Sequence, residues 1–250
     1  MFGDQPTQSP QPGADGPARQ TIHAFQKWVG AGLDLLFPIQ CVGCRRPGSI
    51  WCSDCDAQVE RFVEPLCHNC GLPLTTRTGC PACRQHKPGL LVRSYARYTG
   101  RLVQGLLHLK YRPDRKLASV MADWLADLYY RTGWQATLVV PVPLSRTRQQ
   151  QRGFNQAELL AAELASRLRL PLGADRLRRV IETRSQVGLN PTERRLNVKG
   201  AFQSEPGAFS ETSVLLVDDL CTTGATLSAC AKAIRGAGTD RVWGITVGRA

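Results

Sequence analysis

The sequence predicts an α/β protein: a mostly parallel sheet with flanking helices, preceded by a small domain held by four-cysteine clusters. Three observations carry that outline. From about Leu90 to Val247, apolar strand-like runs alternate with helical patterns, which implies a parallel sheet. Before Leu90, eight of the ten cysteines fall into four Cys-x-x-Cys pairs. One stretch, Val214-Leu-Leu-Val-Asp-Asp-Leu-Cys-Thr-Thr-Gly-Ala-Thr-Leu227, joins an apolar run, two carboxylates and a small-residue loop ahead of a helical pattern.

A chain of 250 residues suits one large or two smaller domains. The balance of 32 Lys+Arg against 20 Asp+Glu gives a net charge of +12, which favours a polyanionic partner such as nucleic acid or a multiply phosphorylated small molecule. No apolar run reaches the roughly eighteen residues of a membrane span. Met1 to Gln20 lacks the basic start and apolar core of a signal peptide, and its Pro, Gly and Gln content reads as a disordered tail. The expected compartment is therefore the cytoplasm, where thiols stay reduced and the cysteines need an explanation other than disulfides.

The pairs are Cys41/Cys44, Cys52/Cys55, Cys67/Cys70 and Cys80/Cys83. A Cys-x-x-Cys turn points two thiolates at one metal, and two such turns complete a tetrahedral Zn²⁺ site. Four turns allow two four-cysteine sites. Sequential pairing (41/44 with 52/55, 67/70 with 80/83) and crossed pairing both satisfy the spacing. Such zinc is structural, because four thiolates leave no position open for water. His68 and His86 read as neighbours of these sites rather than ligands.

Thr21 to Phe37 precedes the cysteines as an amphipathic helix with Ile22, Phe25, Val29, Leu33 and Leu36 on one face, ended by Pro38. After them, Leu90 to Tyr98 reads as a strand and Leu102 to Leu109 as a short helix. Lys116 to Tyr130 is an amphipathic helix closed by Gly133. Lys110, Arg112, Arg115 and Lys116 form a basic cluster able to meet phosphates. Thr137 to Pro143 is a second buried-looking strand whose prolines mark its exit. Leu144 to Phe154 reads as an Arg-rich loop with Arg146, Arg148 and Arg152, and Asn155 with Glu158 starts the helix Gln156 to Leu170. Arginine forks suit a pyrophosphate at such a strand-to-helix junction. Leu177 to Ile181 is a further strand, and Ala201-Phe202 begins another. Between them, Glu182 to Gly200 reads as a mobile polar loop, with a short helix started by Asn190-Pro-Thr-Glu193. Arg241 to Val247 is the last strand.

Val214 to Val217 reads as a strand buried on both faces, and the two acids follow where it leaves the sheet. Ligands of open α/β sheets bind at the carboxyl ends of the strands. Thr222, Thr223, Gly224, Ala225 and Thr226 offer backbone N–H groups at a helix N-terminus, which favours a phosphate. Asp218 and Asp219 repel phosphate but accept hydrogen bonds from a sugar diol or help to hold Mg²⁺. Phosphate beside diol describes a ribose 5-phosphate. Cys221 sits near the helix N-terminus, a setting that lowers a thiol pKa, and Cys230 reads as a small buried residue within the helix.

This stretch resembles the phosphoribosyl diphosphate (PRPP) motif of type I phosphoribosyltransferases. The chain as a whole, from about Leu36 to Val247, resembles the ComF family, in which a double zinc ribbon precedes a type I phosphoribosyltransferase-like domain. The carried motifs are the cysteine array, Lys110-Tyr111, Val140-Pro-Val-Pro143, Arg152-Gly-Phe-Asn-Gln156, Arg184 to Gln186, Arg194 to Phe202 and Val214 to Leu227. The implied organisation is a tail over 1–20, a helix over 21–38, a double zinc ribbon over 39–88 and a phosphoribosyltransferase-like domain over 89–250.

The implied role is in DNA uptake and natural transformation, with single-stranded DNA and helicase-type partners. The implied activity is that of a phosphoribosyltransferase, a pentosyltransferase class. In it PRPP·Mg²⁺ places its 5-phosphate on Thr222 to Thr226 and its ribose hydroxyls on Asp218 and Asp219. Lys110, Arg146, Arg148, Arg152 and Arg184 face the pyrophosphate. The competing reading is a binding protein that holds single-stranded nucleic acid in the same basic cleft, with Tyr95, Tyr98, Tyr111 and Phe154 as candidate stacking platforms.

Overall fold

The computed structural model describes residues 38–74, 79–85, 89–182, 193 and 196–250. The N-terminal tail, the amphipathic helix before Pro38, His86, Arg184 and nearly all of the polar segment 183–195 lie outside the described residues.

The central sheet holds four parallel strands in the order β1-β6-β5-β2: β1 (Leu91–Arg97), β2 (Leu138–Pro141), β5 (Val214–Cys221) and β6 (Val242–Arg249). Leu215 lies opposite Trp243 in β6, and Val139 lies opposite Leu215. Val214 to Val217 are fully buried, as expected of a strand covered on both faces. Their side chains alternate. Leu215 and Val217 enter the layer formed with α3 (Gly100–Tyr111), α4 (Arg115–Thr132) and α6 (Gln156–Leu168), whereas Val214 and Leu216 enter the layer formed with α7 (Ala225–Gly236).

The helix boundaries follow local chemistry. The Asp114 side chain accepts from the Leu117 N–H at 3.0 Å, and Gly133 ends α4 in the left-handed conformation at φ 68°. The Asn155 side chain accepts from the Ala157 N–H at 3.0 Å and donates to the Val142 carbonyl at 3.0 Å, which starts α6 and ties it to the end of β2.

Three elements differ from the sequence reading. The Arg-rich segment is a helix rather than a loop: α5 (Arg146–Arg152) starts at Ser145, whose hydroxyl accepts from the Arg148 N–H, and ends at Gly153 in the left-handed conformation. β5 does not stop before the acids but continues through them to Cys221, because β6 runs alongside as far as Arg249. The strands near 178 and 202 stand apart from the main sheet as a two-residue antiparallel ribbon, β3 (Arg178–Arg179) with β4 (Phe202–Gln203).

The cysteine clusters attach along the β1 edge. Residues of the connection between them pair with β1, with Arg61 bridging antiparallel to Ala96 and the Phe62 N–H donating to the Tyr95 carbonyl at 3.0 Å. The first cluster contains α1 (Ser53–Ala57) and shares the main core: Trp51 meets Trp124 edge-on at 5.6 Å, and Trp124 stacks on Tyr95 at 5.2 Å. The second contains α2 (Pro81–Gln85) and has a small core of its own, Cys67, Cys70 and Cys80 with Leu72, Leu74 and Cys83 against them.

Candidate functional site

The eight paired cysteines form two groups, Cys41/Cys44/Cys52/Cys55 and Cys67/Cys70/Cys80/Cys83, in each of which all four sulfurs lie within 4.8 Å of one another. The pairing is therefore sequential. Sulfur separations of 3.6 Å for Cys41–Cys55, 3.6 Å for Cys44–Cys52, 3.7 Å for Cys67–Cys83 and 3.5 Å for Cys70–Cys80 fit the edges of a tetrahedron. Four sulfurs at a Zn–S distance of about 2.3 Å give an edge of about 3.8 Å. Both groups are thus built for structural Zn²⁺, and His68, exposed beside Cys67, is not among the ligands.

At the carboxyl ends of the strands, β5 presents Asp218 and Asp219 to opposite faces of the sheet. Asp218 faces the layer of α7 and the β3–β4 ribbon, where the Arg179 guanidinium acts on it electrostatically. Burial and the neighbouring Asp219 charge push its carboxyl well above the usual carboxylate range, despite the Asp219 N–H donating to its oxygen at 2.9 Å. Asp219 faces α6 and α3. The Gln156 amide nitrogen donates to its carboxylate at 3.4 Å, and the Gln156 oxygen accepts from Arg152 Nη1 at 2.9 Å. Tyr98 lies within electrostatic reach of Asp219. Burial first, and then this carboxylate, raise the phenol pKa.

The helical form of α5 sorts its arginines. Arg148 and Arg152, four residues apart, share a face. Burial and then the charge of Arg148 lower the Arg152 guanidinium from its ordinary value, with Asp219 opposing. Among the described residues neither arginine forms a salt bridge, so the pair offers its charge to a ligand. Arg146 turns elsewhere, to a cavity of about 930 Å³ under the β3–β4 ribbon that Arg176, Arg178 and Arg179 also line. Lys110 ends α3 and lies over the Tyr111 ring at 5.4 Å. Tyr111 in turn acts on Arg152 and Tyr98, which brings the end of α3 to the same edge. The basic cluster around Arg112, Arg115 and Lys116 flanks that edge on the exposed turn between α3 and α4.

The small-residue loop follows directly. Gly224 adopts φ 74° as the N-cap of α7, a conformation that only glycine takes without strain, and offers no side-chain cap to the helix. The first N–H groups of α7 thus open from a loop held by the end of β5. Cys221 departs from the sequence expectation. It is buried, and that burial pushes its thiol up to about 11 instead of lowering it. A thiol so protonated is no nucleophile at neutral pH. Of the candidate stacking rings, Tyr95 is in the core, Tyr98 and Phe154 are half-buried, and Tyr111 is exposed.

Sequence reasoning assigned no role to Gln156, Tyr98 beyond stacking, or Arg249. Gln156 lies within the Arg152-Gly-Phe-Asn-Gln156 motif. Arg249 carried no signal, because the last strand was expected to end at Val247.

A parallel α/β sheet with an acid pair and a phosphate-type loop at its carboxyl edge, joined to two four-cysteine groups, defines a type I phosphoribosyltransferase-like protein with a double zinc ribbon. Residues 32–84 match the Double zinc ribbon domain family. Competence protein F of Haemophilus influenzae is 33% identical over 226 residues, covering 84% of this chain and 97% of that protein. DNA utilization protein YhgH of Salmonella typhimurium is 34% identical over 222 residues, with the same coverage of 84% and 97%. Competence protein ComFC of Bacillus subtilis is 28% identical over 197 residues, covering 76% and 79%. The chain belongs to the ComF family. Among solved structures, adenine phosphoribosyl transferase from Trypanosoma brucei aligns with a TM-score of 0.38 at 13% identity, covering 76% of this chain and 87% of that one. Among the described residues no helix is long and apolar enough to cross a membrane.

Proposed function

We propose that this protein binds PRPP·Mg²⁺ at the carboxyl edge of β5 and acts in DNA uptake, the role the names of its relatives indicate. The observation that carries the ligand assignment is the Arg152–Gln156–Asp219 chain beside the Gly224 loop. It puts a cationic pair free of salt bridges among the described residues, a carboxylate pair and a helix N-terminus on one sheet edge, the three chemistries that PRPP carries in complementary form. In this reading the 5-phosphate takes the N–H groups and hydroxyls of Thr222 to Thr226, and Asp218 and Asp219 take the ribose hydroxyls. Arg148 and Arg152 meet the pyrophosphate with its Mg²⁺. Lys110 stands at the rim, Arg146 serves the neighbouring cavity, and Arg184 belongs to the segment expected to close over the ligand.

Transfer follows from that placement. A nitrogen nucleophile forms a bond to ribose C1 as the C1–O bond to pyrophosphate breaks, and the Asp219 carboxylate, with Asp218 beside it, stabilises the positive charge that grows on the ring. Incubation of the zinc-loaded protein with PRPP, Mg²⁺ and single-stranded DNA or free nucleobases, followed by a pyrophosphate assay, tests the transfer step. Release above the rate of an Asp218→Asn, Asp219→Asn control supports it, and equal rates leave binding without transfer.

The second reading, a non-catalytic binder of single-stranded nucleic acid, is favoured by the α3–α4 turn. There Arg112, Arg115 and Lys116 are exposed beside an exposed aromatic ring, Tyr111. An affinity for single-stranded DNA that falls steeply with salt and with charge removal at this turn supports it. Unchanged affinity in Arg112→Gln, Arg115→Gln contradicts it.

A further inference from the structure

Arg249, at the end of β6, is buried, and its charge has no carboxylate partner among the described residues. Its Nη1 donates to the Cys70 carbonyl at 3.1 Å and to the Cys221 sulfur at 3.3 Å, and its Nε has no hydrogen-bond partner. A buried, unpaired guanidinium is costly unless negative charge lies close by. One source of it, and one neutral sulfur acceptor, flank this one. Cys70 is a ligand of the second four-cysteine site, and one Zn²⁺ with four thiolates carries a net charge of −2. Cys221 opens the phosphate-type loop, and its sulfur also receives the Gly224 N–H. A continuous relay therefore runs from a zinc ligand to the N-cap of α7: Cys70 carbonyl, Arg249, Cys221 sulfur, Gly224. The remainder of the knuckle is clamped to the sheet, with the Val92 N–H donating to the Asn69 carbonyl at 2.9 Å and Arg93 donating to the His68 carbonyl at 2.9 Å. A Cβ on Gly71 would lie 2.6 Å from the Val92 carbonyl oxygen, so the knuckle has no slack against β1.

We propose that Arg249 is a positioning residue that couples the second zinc site to the phosphate loop, so that metal at Cys67, Cys70, Cys80 and Cys83 and an anionic ligand at Thr222 to Thr226 strengthen each other. The proposal rests on the phosphate reading of that loop. Among the described residues the first zinc site has no such relay. Its Cys41, Cys55 and Trp51 belong to the core on the other face of the sheet, with α3 and α4. Coupling between sites is reciprocal, so ligand must protect the second zinc site as much as zinc favours the ligand.

The test uses the full zinc-loaded chain with ribose 5-phosphate as probe. Zinc is drawn off with a chelator while freed thiols are alkylated, and mass spectrometry reads the rate at each cysteine. Saturating ribose 5-phosphate should slow labelling of Cys67, Cys70, Cys80 and Cys83 at least about fivefold, with Cys41, Cys44, Cys52 and Cys55 unchanged. Cys221→Ala, which cuts the relay without touching a zinc ligand, should abolish the selective protection and leave the ligand-free rates as they were. Arg249→Met should abolish it as well and speed ligand-free labelling of the second site alone. Equal protection of both sites would mean general stabilisation and would overturn the coupling, as would selective protection that survives in Cys221→Ala. Absence of ribose 5-phosphate binding by the wild type in calorimetry would instead overturn the phosphate reading itself.

Discussion

Gln156 hydrogen-bonds Asp219 of β5 across the gap to α6, its amide nitrogen 3.4 Å from the carboxylate, while its oxygen holds Arg152 at 2.9 Å. One neutral side chain thus spaces a carboxylate from a guanidinium that would otherwise neutralise each other, and keeps both available to a ligand.

Removing that spacer should cost affinity. Gln156→Leu keeps the volume and deletes both bonds, each to a charged group and worth about 1.5–3 kcal/mol. PRPP·Mg²⁺ affinity should fall about tenfold or more, and Gln156→Glu, which sets a like charge against Asp219, should fall at least as far. Titration calorimetry checks both, and wild-type affinity in Gln156→Leu would remove the residue from the site.

Asp218 should make stability depend on pH. Its carboxyl is raised in the folded protein by burial and by Asp219, while in the unfolded chain it titrates near 4. Above that ordinary value the folded state keeps a proton that the unfolded state has lost, so stability falls as pH rises, until the raised folded-state pKa is passed. Within that window the slope from one proton is about 1.4 kcal/mol per pH unit. Urea unfolding from pH 4 to 8 should show the decline in wild type relative to Asp218→Asn, with Asp218→Asn the more stable at neutral pH. Parallel curves would refute it.

The two zinc sites should differ in their weight. Cys52 and Cys83 are both half-buried ligands, but the first site carries Trp51 into the main core and the second keeps its own small cluster. Opening the first site exposes a packed tryptophan, a loss of about 3–5 kcal/mol by comparison with truncation. Opening the second lets water reach Arg249 and leaves the main core closed. Cys52→Ser should therefore lower Tm by about 5 °C or more beyond Cys83→Ser, at the roughly 2–4 °C per kcal/mol usual for this size. Differential scanning calorimetry decides it, and equal shifts would contradict the asymmetry.

Gly224→Ala should separate binding from stability. At φ 74° an alanine costs about 1 kcal/mol, but its Cβ would stand 3.8 Å from the Cys221 sulfur in ordinary contact. Tm should drop by only about 2–4 °C, while the strained loop turns its N–H groups away and ribose 5-phosphate affinity falls further. Unchanged affinity would show that the loop does not carry the phosphate.

Local chemistry made much of this legible. Gly133 and Asn155 stop and start helices where their capping geometry requires, and the acid pair with its small-residue loop reads directly as the carboxyl end of a strand ahead of a helix. The misreadings are of another kind. Ser145 and Gly153 bracket α5 with helix-end signals, but seven polar residues have no apolar face to announce a helix. The reach of β5 through Asp218 and Asp219 depends on how far β6 runs beside it, a register set by tertiary pairing. Its place near a helix N-terminus argues for a lowered Cys221 thiol, and burial beneath the loop beside Arg249 decides it instead. The zinc pairing likewise needed the positions of the knuckles in space.

The most direct test of the central claim is calorimetric titration of PRPP with Mg²⁺ into the zinc-loaded wild type and into Asp218→Asn, Asp219→Asn. Saturable binding in the wild type that is lost in the double variant is the predicted result. A folded, zinc-loaded wild type that binds no PRPP would contradict the claim and leave the basic turn between α3 and α4 as the functional surface.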